Sequence, residues 1–131
     1  MSDKDLLCAY RFEQSCETLK DACLLLESGG SLRSVVNRSY YAVFYAILAL
    51  FLKFEVIINT SKHSGVITVF DKEFIKTGLI DRKFSSFLHS LFDNRQEFDY
   101  REFASIERAE AEEVIVMTEE FIELVRNMNT E

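Results

Sequence analysis

The sequence predicts an all-α fold, an antiparallel up-and-down bundle of four long helices and one short helix. The 131-residue chain has no proline and only 4 glycines, so it lacks the breakers that a fold of many short strands needs. Its apolar residues recur at alternating spacings of three and four, the period of one helix face. With 48% hydrophobic residues, including 12 phenylalanines, the chain can close one hydrophobic core. We therefore expect a single domain over residues 1–131.

The first predicted helix begins at a capping box of Ser2 and Asp5 and ends at the Ser-Gly-Gly sequence of residues 28–30. Between these ends, the spacing of the apolar residues predicts which of them form the inner face of the helix. These residues are Ala9, Phe12, Cys16, Leu19, Cys23 and Leu26.

The second predicted helix is capped by Ser31 and runs to about Lys53. Its later half is apolar on all sides, so we expect it to lie at the centre of the bundle or against a second subunit. The apolar run from Tyr40 to Leu52 is shorter than the roughly 20 residues that cross a bilayer. We therefore expect no membrane association, and because no N-terminal signal sequence is visible we expect a cytoplasmic protein.

Three further helices are predicted in the second half of the chain. A short third helix follows the turn at residues 59–61 and ends at Gly78, which can adopt a left-handed backbone. Asp81 caps the fourth helix, and Ser105 caps the fifth. Their inner faces follow from the same spacing and comprise His63, Val66, Ile67, Phe70 and Phe74, then Phe84, Phe87, Leu88, Leu91, Phe92 and Phe98, then Val114, Met117, Phe121, Leu124 and Met128.

Charge, cysteine content and missing motifs exclude several classes of function. The formal net charge of −7 repels a nucleic acid backbone at long range, so any contact with RNA has to be local. The cysteines Cys8, Cys16 and Cys23 lie in the first helix, where about 10 Å of rise puts the last two beyond disulfide reach. No His-Glu-x-x-His, Cys-x-x-Cys or Glu-x-x-His pattern is present, and no glycine-rich phosphate loop. We therefore expect neither a metal nor a cofactor.

The first candidate site residues follow from an arginine in an apolar register. One turn beyond Leu91, the inner face of the fourth helix reaches Arg95, and Asp99 follows at i+4 with Tyr100 beside it. An arginine at such a position needs an acidic partner or a ligand, and a guanidinium binds phosphate through a paired donor fork. We therefore expect Arg95, Asp99 and Tyr100 to cluster at the end of this helix.

A second polar stripe lies on the second helix, where Arg38, Tyr41 and Tyr45 follow one face. The two stripes can face each other, which would bring Arg38 and Tyr41 to the same site. The alternative is that Arg38 extends to water at the edge of the core and that the tyrosines only pack. His63 is a candidate ligand contact or a local polar contact at a helix start. His89 has no acidic partner at ligand spacing, and we interpret it as structural.

Three sequence blocks together resemble the HEPN family, small helical domains named for nucleotide binding in higher eukaryotes and prokaryotes. The blocks are NRSYYAVFYAILALFLK on the second helix, SKHSGVITVFDKEFIKTGLI on the third and LFDNRQEFDY at the end of the fourth. Their order and spacing are similar, over nearly the whole chain, to those of a small prokaryotic branch of the family.

The resemblance implies a homodimeric bundle, often encoded beside a minimal nucleotidyltransferase, and in many relatives a metal-independent RNase or the toxin of a toxin–antitoxin pair. The catalytic signature there is an arginine, a polar residue, and a histidine four to six residues after the arginine. Arg95 and Gln96 match the first two positions, but Tyr100 stands where the histidine is expected. A phenol, whose ordinary pKa is about 10, is a poor general base at neutral pH, so we expect weak or absent RNase activity. Tyr100 is instead a candidate acceptor for nucleotidyl transfer.

The function predicted from these residues is nucleotide or RNA binding by a HEPN-like protein that works with a nucleotidyltransferase. The candidate catalytic residues are Arg95 and Tyr100, and the candidate ligand contacts are Arg38, Tyr41, His63, Gln96 and Asp99. The alternative is a non-catalytic helical dimer that acts as a protein-interaction module.

Overall fold

The computed structural model describes residues 2–100 and 106–130, and the side chains of residues 95–100 lie outside this description. Within these ranges the chain forms five α-helices and no strand. The helices are α1 (Asp3–Glu27), α2 (Leu32–Lys53), α3 (His63–Phe70), α4 (Arg82–Tyr100) and α5 (Arg108–Asn129), and α3 continues into a π-helical turn at Asp71–Ile75. The prediction of an all-α helical bundle is confirmed.

Local capping chemistry determines several of the helix boundaries, as the sequence predicts. Ser2 and Asp5 form the capping box of α1, each side chain bonded to the other residue's backbone N–H. The Ser31 hydroxyl accepts a hydrogen bond from a backbone N–H in the first turn of α2. Gly78 has φ +79°, a left-handed conformation that side chains rarely tolerate, and Asp81 accepts from a backbone N–H at the start of α4.

Two boundaries differ from the prediction. The third helix was expected to run through Phe74 in one piece, but an i→i−5 bond between the Lys76 N–H and the Asp71 carbonyl, 2.9 Å long, widens its last turn. The wider turn keeps Phe74 buried while the Asp71 side chain faces α4. The fifth helix begins at Arg108 with Glu107 as its N-terminal cap, and the predicted cap, Ser105, lies outside the described residues.

Helices α1 and α2 are antiparallel, and α5 runs in the direction of α2. Lys4, in the first turn of α1, forms an ion pair with Glu55, just beyond the end of α2. Val35, near the start of α2, packs in one apolar cluster with Ala111, near the start of α5. The beginnings of α2 and α5 therefore lie at the same end of the bundle.

Helix α4 runs opposite to α2 and α5. Phe84, in its first turn, contacts Phe121 in the second half of α5, with ring centroids 5.6 Å apart. Phe92, in its second half, contacts Tyr40 in the first half of α2, at 6.0 Å between centroids. The four long helices thus alternate in direction, and the end of α4 is brought to the beginning of α2.

The inner face of α1 is confirmed in part, because the predicted residues other than Ala9 pack against the core while smaller residues lie at its centre. Its buried residues are Ser15, Thr18 and Ala22, whereas Ala9 is exposed. The Ser15 hydroxyl donates to the Ala42 carbonyl of α2 at 2.5 Å, so small side chains let the two backbones approach closely. The larger apolar residues of α1 flank this contact half-buried, namely Phe12, Cys16, Leu19, Cys23 and Leu26.

Helix α2 is the central element of the core. It contributes twelve buried residues, more than any other described helix. With 22 residues and a mean hydropathy of 1.5 over its most apolar window, it is long and apolar enough to cross a membrane, although 61% of that window is buried inside the protein. The helix is longer than the apolar run from Tyr40 to Leu52, because it begins eight residues earlier, at Leu32. Its burial is what a central core helix requires.

Candidate functional site

The first half of α2, the start of α3 and the second half of α4 meet at one place, which we call the corner. At its centre, the hydroxyl of Tyr40 on α2 lies 2.7 Å from Nδ1 of His63, the first residue of α3. Tyr40 is fully buried, so its hydroxyl needs a partner inside the protein, and His63 supplies one. The pair joins two helices whose contacting residues are 23 positions apart in the sequence.

The loop before α3 positions His63. The Lys62 N–H donates to the Thr60 hydroxyl at 3.1 Å, which orders the entry into the helix. The Thr60 side chain then lies directly over Gly65, where an added Cβ would stand 2.4 Å from its methyl carbon. A side chain at position 65 would therefore require Thr60 to move, and the close approach packs Thr60 against the first turn of α3, which carries His63.

Aromatic rings surround the imidazole of His63. Phe44 stacks on it with ring centroids 4.1 Å apart and an interplanar angle of 26°. Tyr41 meets it edge to face at 5.9 Å and 81°. His63 and Tyr41 are both half-buried, so one side of this group of rings reaches solvent. Such faces can stack with a nucleobase or another flat ligand.

Helix α4 approaches the corner through Phe92, whose ring contacts Tyr40. The helix continues through Tyr100, and position 95 lies three residues beyond Phe92, a rise of about 4.5 Å. The predicted motif residues of α4 are thus carried on the helix segment that follows directly from the corner. The side chains of Arg95, Gln96, Asp99 and Tyr100 lie outside the described residues, and their roles stay predictions.

Arg38 lies one turn before Tyr41 on α2 and is exposed. Among the residues whose side chains the structure describes, none forms a hydrogen bond or an ion pair with it. Tyr41 in turn contacts Tyr45 at 6.1 Å between ring centroids. In the predicted stripe, Tyr41 and Tyr45 are therefore half-buried and pack against each other, whereas the positive charge of Arg38 is exposed to solvent.

Two members of the corner, Tyr40 and Phe44, were not predicted from the sequence. Both lie in the buried register of α2 together with Val43 and Ile47, and that register pointed to packing. The signal that could have identified Tyr40 is its hydroxyl, because a phenol in a fully apolar register requires a hydrogen-bond partner. The identity of that partner depends on the tertiary fold.

The interpretation of His89 was incomplete, because it does have an acidic partner. Its Nε2 lies 2.6 Å from Oδ2 of Asp71, and the Ser85 hydroxyl donates to the other carboxylate oxygen at 2.7 Å. The contact ties the π-helical turn to α4, and the structural role of His89 stays a prediction. Among the described residues, no group of three or more histidine, cysteine or acidic side chains could hold a metal ion.

The corner combines three kinds of recognition chemistry. A guanidinium at its edge can pair with a phosphate, half-buried rings can stack with a base, and an imidazole can exchange a proton or donate a hydrogen bond. Arg38, Tyr41 and His63 supply these groups, and of the predicted ligand contacts they are the ones whose side chains the structure describes. The fold brings His63 and Tyr41 into contact, and Arg38 lies one turn before Tyr41 on α2.

Comparisons with known proteins identify the family of the chain. The family model for the HEPN domain matches residues 9–128. A "UPF0332 protein" of Thermotoga maritima is 35% identical over 128 residues, 98% of this chain and 95% of that protein. Two proteins of Methanocaldococcus jannaschii are also similar. "Putative toxin MJ0142" is 43% identical over 77 residues, 59% of this chain and about half (51%) of that protein, and "Putative toxin MJ0605" is 32% identical over 110 residues, 84% of this chain and 79% of that protein. The chain belongs to the HEPN domain family.

Proposed function

We propose that this HEPN protein binds RNA or a nucleotide at the corner and acts as one member of a toxin–antitoxin pair. The observation that carries the proposal is the contact of half-buried Tyr41 with His63 beside the exposed charge of Arg38. Family membership and two relatives named as toxins support the same class of role. The ligand is held locally, because the net charge of −7 works against a broad electrostatic surface.

In this proposal, different side chains bind the phosphate and the base of the nucleotide. The guanidinium of Arg38 pairs with a phosphate, and the rings of Tyr41 and His63 stack with the attached base. In this proposal Arg95 and Gln96 add a second phosphate contact from α4, and Asp99 holds Arg95 in place. Because few phosphates are neutralised, affinity falls only modestly as salt rises.

Tyr100, which stands where the family's motif has a histidine, gives weak or no metal-independent cleavage by itself. It serves instead as a ligand contact or as the acceptor of a nucleotidyl group from a minimal nucleotidyltransferase partner. The acidic neighbour Asp99 opposes ionisation of a phenol and so works against a role as general base. No cofactor takes part in this proposal.

The active unit in this proposal is a cytoplasmic homodimer. Half-buried Leu48 and Leu52 of α2 line a mostly apolar groove with Leu7 and Arg11 of α1 and with the loop that follows α2. A second copy of the chain can cover this groove, which adjoins the stripe of Arg38 and the tyrosines on α2.

A second candidate function is a protein-interaction module without a ligand. Its support is a set of exposed apolar residues on α1, where Leu6 is 54% exposed, Leu7 43% and Tyr10 57%. Such a patch is typical of protein contact surfaces. Under this candidate the corner only packs α2, α3 and α4 together, and no variant of Arg38 changes the binding of RNA.

Titration calorimetry with a short single-stranded RNA separates the two candidates. We expect Arg38→Ala to weaken binding roughly tenfold, the lower range for a hydrogen bond to a charged group. The matched control is Arg82→Ala, an exposed arginine in the first turn of α4, at the opposite end of that helix from the corner. Equal affinity of wild type and Arg38→Ala, or no binding at all, would favour the interaction module.

A further inference from the structure

A second groove, which we call the α1–α5 groove, lies between α1, α5 and the last residue of α2. Its volume is about 580 Å³, within the range of roughly 300–1,000 Å³ that is typical of ligand pockets. Along α1 the groove extends from Asp5 to Cys16, a rise of about 16 Å. Lys53, which lines it, is separated from Tyr40 at the corner by a rise of about 20 Å along α2. Its ligand is therefore independent of the function proposed for the corner.

Arg126 of α5 closes one end of the α1–α5 groove. Its guanidinium lies over the ring of Phe12, 5.0 Å from the centroid, and its Nε atom donates to Glu123 at 3.0 Å. Its Nη2 atom lies 3.8 Å from the Sγ atom of Cys16. Three neighbours thus hold this arginine, and Glu123 offsets part of its charge, so this end of the groove is a fixed wall.

Lys53 lies toward the other end of the groove. It is the last residue of α2, and because α1 and α2 are antiparallel it lies near the beginning of α1. Its side chain is exposed, and among the described residues none forms a hydrogen bond or an ion pair with it. The ammonium group is a compact point charge on a flexible stem. It can therefore bind an anionic group of a ligand without breaking a contact of the folded chain.

Asn129 lies between these two ends. It follows Arg126 by three residues on α5, which runs opposite to α1, so it lies on the side of Arg126 that faces Lys53. The Oδ1 atom of Asn129 is buried, and no donor in the described part of the chain bonds to it. Buried amide oxygens in proteins almost always accept a hydrogen bond. A ligand with an N–H group would supply the missing donor.

The charges of the groove restrict the class of ligand. The carboxylates of Asp5 and Glu13 line it together with the cations of Lys53 and Arg126. A phosphate group with two negative charges is repelled by these carboxylates, whereas Lys53 can balance the single charge of one carboxylate. The ring of Phe12 offers an apolar surface beside them. One carboxylate, backbone N–H groups and apolar side chains are the chemistry of the carboxyl-terminal end of a peptide.

We propose that the α1–α5 groove binds the carboxyl-terminal end of a peptide or protein chain. The terminal carboxylate pairs with Lys53, a backbone N–H of the ligand donates to Oδ1 of Asn129, and an apolar side chain of the ligand packs on Phe12. An extended chain advances about 3.3–3.6 Å per residue, so four to five residues span the length of the groove.

Titration calorimetry with a pool of N-acetylated tetrapeptides tests the proposal. The peptides vary at their last two positions, and each is made as the free acid and as the carboxyl-terminal amide. We expect saturable binding of at least one acid and roughly tenfold weaker binding of its amide, the loss expected for a hydrogen bond to a charged group. Asn129→Leu should weaken the binding of both forms roughly three- to tenfold.

Lys53→Met is the variant that tests the carboxylate contact. It keeps the apolar stem of the side chain and removes its charge at an exposed position, so the fold is retained. We expect this variant to bind the acid and the amide equally. The matched control is Lys20→Met, an exposed lysine of α1 outside the groove, which should keep the preference for the acid.

The cysteines of α1 give a second measurement of where the peptide binds. Cys16 lines the α1–α5 groove, whereas Cys23 does not. A saturating concentration of the tightest peptide should slow the alkylation of Cys16 by iodoacetamide and leave that of Cys23 unchanged, as measured by mass spectrometry. The same four residues at the end of a flexible linker on a carrier protein distinguish the two sources of the ligand. Equal affinity of the carrier assigns the groove to a protein terminus, and binding of the free peptide alone assigns it to a small peptide.

Four results overturn the proposal. They are the absence of saturable binding by every peptide of the pool, equal affinity of wild type for the acids and the amides, a preference for the acid that survives in Lys53→Met, and an unchanged rate of alkylation of Cys16. Because the corner takes no part in these measurements, none of them changes the conclusion about the binding of RNA there.

Discussion

The Tyr40 hydroxyl and the Nδ1 atom of His63 lie 2.7 Å apart and connect the buried centre of α2 to the first residue of α3. Like the bond from the buried Ser15 hydroxyl to the Ala42 carbonyl, this contact joins two helices through a fully buried side chain. The bond serves the fold by satisfying a buried phenol, and it serves the proposed site by fixing an imidazole at the edge of the corner.

Tyr40→Phe should lower the free energy of unfolding by about 1 kcal/mol, the net value of a typical hydrogen bond. The volume of the side chain is almost unchanged, so no cavity contributes. Urea denaturation followed by circular dichroism measures the effect, and Tyr10→Phe, at a 57% exposed position, is the control with no expected change. If Tyr40→Phe were as stable as the control Tyr10→Phe, the bond to His63 would contribute nothing to the free energy of unfolding.

Gly65→Ala should destabilise the protein by about 1–3 kcal/mol, the usual cost of overpacking. The added Cβ would stand 2.4 Å from the methyl carbon of Thr60. Because serine lacks that methyl group, Gly65→Ala should cost less in a Thr60→Ser background. A double-mutant cycle of unfolding free energies measures this coupling. Strictly additive effects of the two substitutions would contradict the close contact.

The capping box of α1 should make the stability of its first turn depend on pH. Hydrogen bonds from the side chain and backbone of Ser2 hold the pKa of Asp5 below its ordinary value of 3.8. For a carboxyl group with a lowered folded-state pKa, the stabilisation is fully present above the unfolded value and disappears as the pH falls through the folded one.

Asp5→Asn should therefore increase hydrogen exchange of the first-turn amides of α1 near neutral pH, and the difference from wild type should shrink below about pH 4. Asp3→Asn, in the same turn but outside the capping box, is the control. A difference between wild type and Asp5→Asn that persists unchanged at acid pH would contradict the role of the ionised carboxyl group.

Helix caps were predictable because their chemistry is local. Ser31, Gly78 and Asp81 act within three residues of their own position, and the structure confirms all three. The inner face of α1 was predicted in part. Phe12, Cys16 and Leu19 pack against the core as expected, but the line of closest approach to α2 is formed by small residues such as Ser15, which apolar spacing does not identify. The distance between α1 and α2 depends on the tertiary fold, and the spacing of apolar residues along α1 does not predict it.

The candidate site was predictable in part for the same reason. Arg38, Tyr41 and His63 stand out in the sequence as polar or titratable groups at the ends of apolar runs. Their assembly depends on pairs that are far apart along the chain, such as Tyr40 with His63, and no local pattern specifies such a pair. The partner of His89 was missed for the same reason, since Asp71 lies 18 residues away.

The binding of a nucleotide or RNA at the corner is tested most directly by nuclear magnetic resonance of the imidazole protons. The chain has two histidines, so one spectrum contains both the site and its own control. On addition of a short single-stranded RNA, the ring signals of His63 should shift in a saturable way while those of His89, on α4 and paired with Asp71, stay in place. Assignment follows from His63→Asn and His89→Asn. Saturable shifts confined to His89, or no shift of His63 at millimolar ligand, would contradict the proposed site.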